Sequence, residues 1–272
     1  MDAPRGVETY AHASSRSRVA TSRTIAVVTL EFIGCGDAFA SGGRFQTCFL
    51  VRGSGRPFLI DCGASAPVAL QRRGIDPSRI NLVIVSHLHG DHAGGLPFLL
   101  LDAAYNRPRA EPLVVAGPSG VEARVLDMLE ALYPGTREAV SERAPVRFVE
   151  LENEREIALG GVLVTAFGVE HSENTPCLGI RAKVDRKVIA YSGDTQWTPA
   201  LVDLSRGADL FVCECTGFDE PLYSHLSHAE LSAHASEFGG VRMVLTHLGP
   251  RMLAHAAEAR WPCADDGLVI EV

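Results

Sequence analysis

Residues 87 to 92 read His-Leu-His-Gly-Asp-His, which places three imidazoles and a carboxylate in one short segment. Imidazole nitrogen and carboxylate oxygen are donors that a borderline-soft divalent ion such as zinc accepts. A purely structural loop gains little from adjacent imidazoles, which repel one another when protonated and need partners when buried. Gly90 and the Gly94-Gly95 pair supply tight backbone for folding such donors around an ion. Further donors recur along the chain as Glu170-His171, as Ser192-Gly193-Asp194-Thr195 and as Thr246-His247. This inventory exceeds the needs of one ion, and two ions sharing a bridging carboxylate account for it better. The chemistry implied is that of bound metal ions. The isolated His12, His234 and His255 read instead as surface or satisfied core residues.

The donors must be positioned by strands, because each group follows an apolar run of strand length. Leu82 to Ser86 leads into His87, Val162 to Val169 into His171, Lys187 to Tyr191 into Asp194, and Val241 to Thr246 into His247. The carboxyl ends of strands in an α/β sheet share one edge, where such folds gather a site. Additional strands are expected over Ile25 to Ile33, Thr47 to Arg52, Pro57 to Asp61, Leu113 to Ala116, Arg147 to Leu151, Leu178 to Val184, Leu210 to Cys213 and Leu268 to Val272. The first three open an antiparallel sheet. Helices are expected over Ala66 to Arg73 and Pro97 to Tyr105, and after Gly120, where Val121, Val125, Leu129 and Leu132 recur at helical spacing. Ser227-His228-Ala229-Glu230 has capping-box spacing and predicts a helix through about Phe238, and a last helix is expected over about Met252 to Arg260. Strands in both halves with interspersed helices predict two sheets covered by helices, an α/β (α+β) arrangement.

Composition narrows the classes. The chain of 272 residues carries 25 Lys+Arg against 33 Asp+Glu, a formal charge of −8, so nothing favours a nucleic-acid surface. With 46% hydrophobic and 21% charged residues it can bury a large core. No apolar run approaches the roughly 18 residues that span a bilayer. The seven cysteines lack the spacing of a disulfide scaffold and read as reduced thiols, the Cys213-x-Cys215 pair as packing rather than ligation. Residues 1 to 23 have Arg5, Arg16, Arg18 and Arg23 but no hydrophobic stretch, and read as a flexible extension rather than a secretory signal. The donors span both halves, so residues 24 to 272 are expected to form one domain, and cytoplasm is the expected compartment.

His87-Leu-His-Gly-Asp-His92, with Asp61-Cys-Gly63 before it and His171, Ser-Gly-Asp194-Thr and Thr-His247 after it, resembles the metallo-β-lactamase superfamily over about residues 28 to 250. The resemblance implies a four-layer αββα sandwich with a dinuclear centre and two Zn2+ per chain, with manganese or iron suiting the same donors. By motif order His87, His89 and His171 would hold one ion, Asp91, His92 and His247 the other, and Asp194 would bridge; Asp61 would orient the ligand loop. Val-Ser-His87 through Gly-Gly-Leu-Pro97, Tyr-Ser-Gly-Asp194-Thr and Cys-Glu214-Cys-Thr216 are similar to the phosphodiesterase branch that includes ribonuclease Z. True zinc β-lactamases carry Cys where Asp194 stands.

In the resembling enzymes a histidine backed by a glutamate sits beside the metals, so Asp91, His225 and Glu214 are the expected catalytic residues. A hydroxide bridging the ions would attack phosphorus while His225 protonates the leaving oxygen and Glu214 fixes its tautomer. His228 is the rival donor. It falls in the first turn of the capped helix, whereas His225 lies in the loop before it. Ribonuclease Z enzymes carry a long tRNA-gripping arm before the third histidine motif. Here the stretch from Gly120 to His171 is short, and its Arg137, Arg143, Arg147 and Arg155 alternate with glutamates. The expected substrate is therefore a small-molecule ester, a phosphodiester such as a cyclic nucleotide or a cyclic ribose phosphate, with RNA less favoured, no membrane partner, and a homodimer among the expected assemblies. The alternatives are a tRNA 3′-processing endoribonuclease, a lactonase, thioesterase or arylsulfatase, and a non-enzymatic metal-binding scaffold. Phe39 and Phe45 flank a glycine-rich loop, and either sandwich a base or a hydrophobic leaving group or belong to the core. Trp197 and Arg251 are further candidates, Arg251 for a phosphate or carboxylate or as a solvated surface residue.

Overall fold

In the computed structural model, residues 27 to 272 are described; the expected N-terminal extension lies outside them. The chain builds β1 (Thr29–Gly34), β2 (Cys48–Arg52), β3 (Phe58–Ile60), α1 (Ala66–Arg72), β4 (Leu82–Ile84), α2 (Gly90–Ala93), α3 (Leu96–Tyr105) and β5 (Leu113–Gly117). α4 (Val121–Leu132), α5 (Arg137–Arg143), β6 (Val146–Glu150), β7 (Glu156–Leu159), β8 (Val162–Val169), β9 (Cys177–Val184) and β10 (Lys187–Tyr191) come next. The chain ends with α6 (Ala200–Ser205), β11 (Leu210–Glu214), α7 (His228–Ala233), β12 (Met243–Thr246), α8 (Pro250–Ala254) and β13 (Val269–Glu271).

The strands form two sheets, ordered β13-β1-β2-β3-β4-β5-β6 and β12-β11-β10-β9-β8-β7. Their alternation shows how they stack. Phe32, Phe49, Val51, Ile60 and Ile84 of the first sheet meet Val164, Ile180, Ile189, Tyr191, Val212 and Val244 of the second in one apolar layer. The intervening residues Ile33, Leu50, Leu59 and Val83 turn outward against α1, α3 and α4, while Ala190, Phe211 and Leu245 turn outward against α6, α7 and α8. Both faces of each central strand are thus buried, which is why these strands read as continuous apolar runs. The layers are helix, sheet, sheet and helix, the αββα sandwich that the family resemblance implies, in one domain.

The two sheets open at a common edge. β3 and β4 are parallel, as are β10, β11 and β12. β8 and β10 both run antiparallel to β9, so β8 ends on the same side. Asp61, His87, His171, Asp194, Glu214 and His247 all lie at or just beyond those strand ends.

Some elements depart from the sequence reading. β7 and α5 carry no clear sequence signal, because they are short and only partly buried. The capped helix ends at Ala233 and continues as a 3-10 turn over Ala235–Phe238. The last helix starts earlier, at Pro250, which takes the first helical position where its missing N–H costs nothing. In α4, Val121, Val125 and Leu129 are buried but Leu132 at the helix end is exposed. Among the described residues all seven cysteines are free, and Cys213 and Cys215 are fully buried with their thiol pKa values pushed up by burial.

Candidate metal centre

Asp61 and His247, which follow β3 and β12, both adopt left-handed backbone (φ 57° and 58°). Non-glycine residues adopt that conformation at a cost, and it clusters at functional sites. The turns are fixed by hydrogen bonds: Asp61 N–H donates to Ile84 O at 2.8 Å, and His247 N–H to Cys35 O at 3.0 Å. Gly193 (φ 62°) makes the turn before Asp194, where a Cβ would lie 2.5 Å from Leu178 O. The histidine loop is seated through Gly95, where a Cβ would lie 2.5 Å from Gly63 O and 2.7 Å from Cys62 Sγ. Gly94 is equally confined, by Gly90 O at 2.4 Å; Gly90 itself has open space, so close packing requires only the later pair.

The seven predicted ligands come together. Donor atoms of His87, His89 and His171 lie within 4.8 Å of one another, and so do those of Asp91, His92, Asp194 and His247. Asp194 Oδ2 stands between the groups, 3.2 Å from His92 Nε2, 3.3 Å from His247 Nε2, 3.8 Å from His87 Nε2 and 4.0 Å from His171 Nε2. Hydrogen bonds on the outward side orient the rings. His92 Nδ1–H donates to Asp61 Oδ2 at 2.7 Å, and His171 Nδ1–H to Ser224 O at 2.8 Å. His87 Nδ1 lies 3.1 Å from Ser86 Oγ, and His247 Nδ1 3.0 Å from Thr216 Oγ1. Each of these rings therefore turns Nε2 inward, the arrangement of metal-ligating histidines. Asp61 is itself fixed, accepting from Ser86 N–H at 2.7 Å and Ser86 O–H at 2.8 Å.

The donor set fits divalent cations. His92 Nε2 and Asp194 Oδ1 are buried without a hydrogen-bond partner, and a bound cation would satisfy both. His89 Nδ1 lies 3.1 Å from His87 Nε2 and 3.2 Å from His171 Nε2, three nitrogens converging on one point. Burial pushes the His87 imidazole well down, helped by the neighbouring His92, so it is neutral and able to ligate. Burial opposes ionisation of Asp91 and Asp194, yet the surrounding imidazoles hold both carboxyls below the usual range.

His225 stands at the edge of this cluster, with a donor atom within 4.8 Å of those of His171 and Asp194. Its Nδ1–H donates to Glu214 Oε1 at 2.9 Å. Glu214 is fully buried, and its oxygens also accept from Thr195 N–H at 2.9 Å and from Thr216 N–H at 3.2 Å. These bonds engage both oxygens of the carboxylate. Burial works against protonation of His225, but the Glu214 charge outweighs it and the pKa is pushed up to about 9. His228 is elsewhere: its Nε2 accepts from Arg260 N–H at 2.9 Å, its ring stacks on Phe218, and burial with the Arg260 charge pushes its pKa down.

Other candidates separate by their contacts. Phe45 is half-buried against the first sheet's outer core, while Phe39 is 87% exposed, so the two do not form one sandwich. Trp197 packs on Phe238 and stacks with His234 at 3.6 Å. Arg251 pairs with Asp219 at 2.6 Å and Glu220 at 3.2 Å. Three contributors escaped the sequence reading: the Ser86 hydroxyl, the Thr216 hydroxyl and the Ser224 carbonyl. Thr216 and Ser86 sit inside motifs that point to the site, but the Ser224 carbonyl is a backbone atom and leaves no residue-type signal.

A dinuclear-type donor set at the open edge of an αββα sandwich defines a metal-dependent hydrolase of the metallo-β-lactamase superfamily. The family model of the Anti-Pycsar protein Apyc1 matches residues 28–261, and the chain belongs to that family. Within the superfamily it falls in the ribonuclease Z and phosphodiesterase branch. The uncharacterized protein Rv1339 of Mycobacterium tuberculosis is 31% identical over 234 residues, covering 84% of this chain and 83% of that protein. Ribonuclease Z of Lachnoclostridium phytofermentans is 26% identical over 264 residues, 77% of this chain and 84% of the relative. The metallo-beta-lactamase fold protein YhfI from Bacillus subtilis superposes with a TM-score of 0.72 at 19% identity, over 90% of this chain and 100% of that one. Among the described residues no helix is long and apolar enough to cross a membrane.

Proposed function

We propose that this chain is a dinuclear zinc phosphodiesterase acting on a small phosphodiester, a cyclic nucleotide or a cyclic ribose phosphate. The observation that carries the reading is the pair of donor clusters sharing Asp194, with the Glu214-backed His225 at their edge. His87, His89 and His171 would hold one ion, Asp91, His92 and His247 the other, and Asp194 both. Bound there, the ions would supply an acidified water and neutralise charge on the phosphoryl oxygens. The protein's own residues supply the rest. His225 presents its Nε2 side to the centre while Glu214 holds Nδ1, so the imidazolium can pass its Nε2 proton to the departing oxygen. Asp61, Ser224 and Thr216 keep three ligand rings from turning, so each lone pair stays aimed before substrate arrives.

A small substrate is favoured over a tRNA by the segment between β5 and β8. α4, α5, β6 and β7 occupy it, Arg137 is paired with Asp127 and Arg155 with Glu152, and Arg143 lies over the Tyr105 ring. The positive charge of the segment is interleaved with carboxylates, whereas gripping an RNA backbone needs clustered cations. The test is initial-rate turnover by zinc-loaded protein of a chromogenic phosphodiester, two cyclic ribonucleotides, a lactone, a thioester, a cephalosporin and a precursor tRNA. Preferred hydrolysis of the phosphodiesters supports the reading; preference for the lactone, the thioester or the tRNA overturns it.

A further inference from the structure

A cavity of about 400 Å³ opens beside the metal-ligand cluster, lined by His171, Glu170, Gln196, Ser224 and Tyr223 among others. This size falls in the range of small-molecule sites. Tyr223 is the conspicuous member: its side chain is 81% exposed. Among the described residues it makes no ring contact and no hydrogen bond. Exposed apolar groups are common on protein surfaces, but this one stands at the mouth of the site on a backbone fixed from several sides.

The neighbouring Ser224 takes a left-handed conformation (φ 65°), and its carbonyl accepts from His171 Nδ1–H. Leu222 pairs with His225 across the turn, and Gly217 with Ser227 at the base of the loop. Arg251 holds the loop through Asp219 and Glu220. Phe218 stacks near-parallel with the rings of His228 and His255. The loop thus carries a ligand-orienting carbonyl, the proton donor and an uncovered aromatic ring on three consecutive residues. Such a ring costs least when a planar group covers it, and stacking is how proteins hold a base without reading its identity. In the same cavity the Gln196 amide donates to Glu170 Oε2 at 2.8 Å. No Lys or Arg lines the cavity, so it offers no grip for a second phosphate.

Resting on the phosphodiesterase reading, we infer that Tyr223 is a stacking platform for the substrate's planar body, so that the enzyme selects base-bearing cyclic phosphates over base-free cyclic ribose phosphate. The platform is a specificity determinant that acts on binding, while His225 close to it acts on the leaving oxygen.

The experiment measures kcat and KM of zinc-loaded wild type, Tyr223→Ala and Tyr223→Phe on a nucleoside cyclic phosphate and on cyclic ribose phosphate. Zinc content and circular dichroism are recorded for each variant. The expected result is a fall of about 5- to 150-fold in the base-bearing over base-free kcat/KM ratio for Tyr223→Ala, carried by KM, with the ratio recovered in Tyr223→Phe. An unchanged ratio, or an equal loss on both substrates, overturns the platform. Calorimetric binding of a nucleoside monophosphate against ribose phosphate provides a second readout: weakening of the nucleotide alone in Tyr223→Ala supports the platform, and equal affinities in wild type overturn it. Absence of turnover on both esters would instead overturn the phosphodiesterase reading, with the binding comparison still deciding the role of Tyr223.

Discussion

Asp61→Asn changes a single heavy atom at a fully buried position, and the hydrogen bonds around that atom set the consequence. Asp61 Oδ2 accepts from His92 Nδ1–H at 2.7 Å and from the Ser86 hydroxyl at 2.8 Å, and Oδ1 accepts from Ser86 N–H at 2.7 Å. An asparagine keeps one acceptor and gains a two-donor NH2. If its oxygen faces Ser86 N–H, its NH2 faces His92 Nδ1, which must become the acceptor, and the ring proton moves to Nε2. That atom is the inward ligand, so metal binding must reverse the shift. If the amide turns over, NH2 opposes the Ser86 N–H, and two buried donors are left facing one another at a cost of about 1 to 3 kcal/mol. Either way the penalty falls on the metal-bound state. Loss of such an outer partner typically weakens metal binding about 10- to 100-fold, about 1.4 to 2.8 kcal/mol. A competition titration of zinc against a chromophoric chelator reads this directly, with circular dichroism to check the fold. Wild-type zinc affinity in a folded Asp61→Asn variant would refute the claim that Asp61 fixes the His92 tautomer.

The remaining predictions concern His225, the proposed proton donor. His225→Ala should lower kcat by about 10²- to 10⁴-fold with zinc content retained, and His228→Ala should alter kcat far less; loss of zinc in His225→Ala would make His225 a ligand instead. The pH profile derives from the raised His225 pKa: the protonated donor is present below its pKa, so kcat should fall as pH rises through it. Bound cations repel the imidazolium, which places this alkaline limb at or below about 9. The limb should vanish in His225→Ala, and its persistence there would assign it to another group.

The proposed ligand set is legible because its spacing is local and its members follow strands. His87, His89, Asp91 and His92 lie within six residues of chain, and strand ends in such a sheet share an edge. The two-sheet sandwich is legible for a related reason: β1, β2, β4, β10 and β11 bury residues on both faces, and their sequences are largely apolar runs. What the sequence withholds depends on backbone direction. The left-handed turns at Asp61 and His247 are made without glycine, by residue types that adopt that region only in a minority of cases, and the Ser224 carbonyl has no side-chain signature. Phe39 and Phe45 look equivalent in the sequence, yet one faces solvent and the other packs under Arg72. The short β7 and α5 bury too few residues to show a period. Arg251 has no evident partner in the sequence; the fold brings Asp219 and Glu220 to it.

The central claim is a two-ion centre bridged by Asp194. Mass-spectrometric counting of zinc per chain in wild type and in Asp194→Asn tests it most directly. The arrangement predicts about two ions per chain in wild type and loss of tight binding at both positions in the variant, since one carboxylate serves both donor groups. One ion or fewer per chain in fully loaded wild type, or two retained in Asp194→Asn, would contradict it.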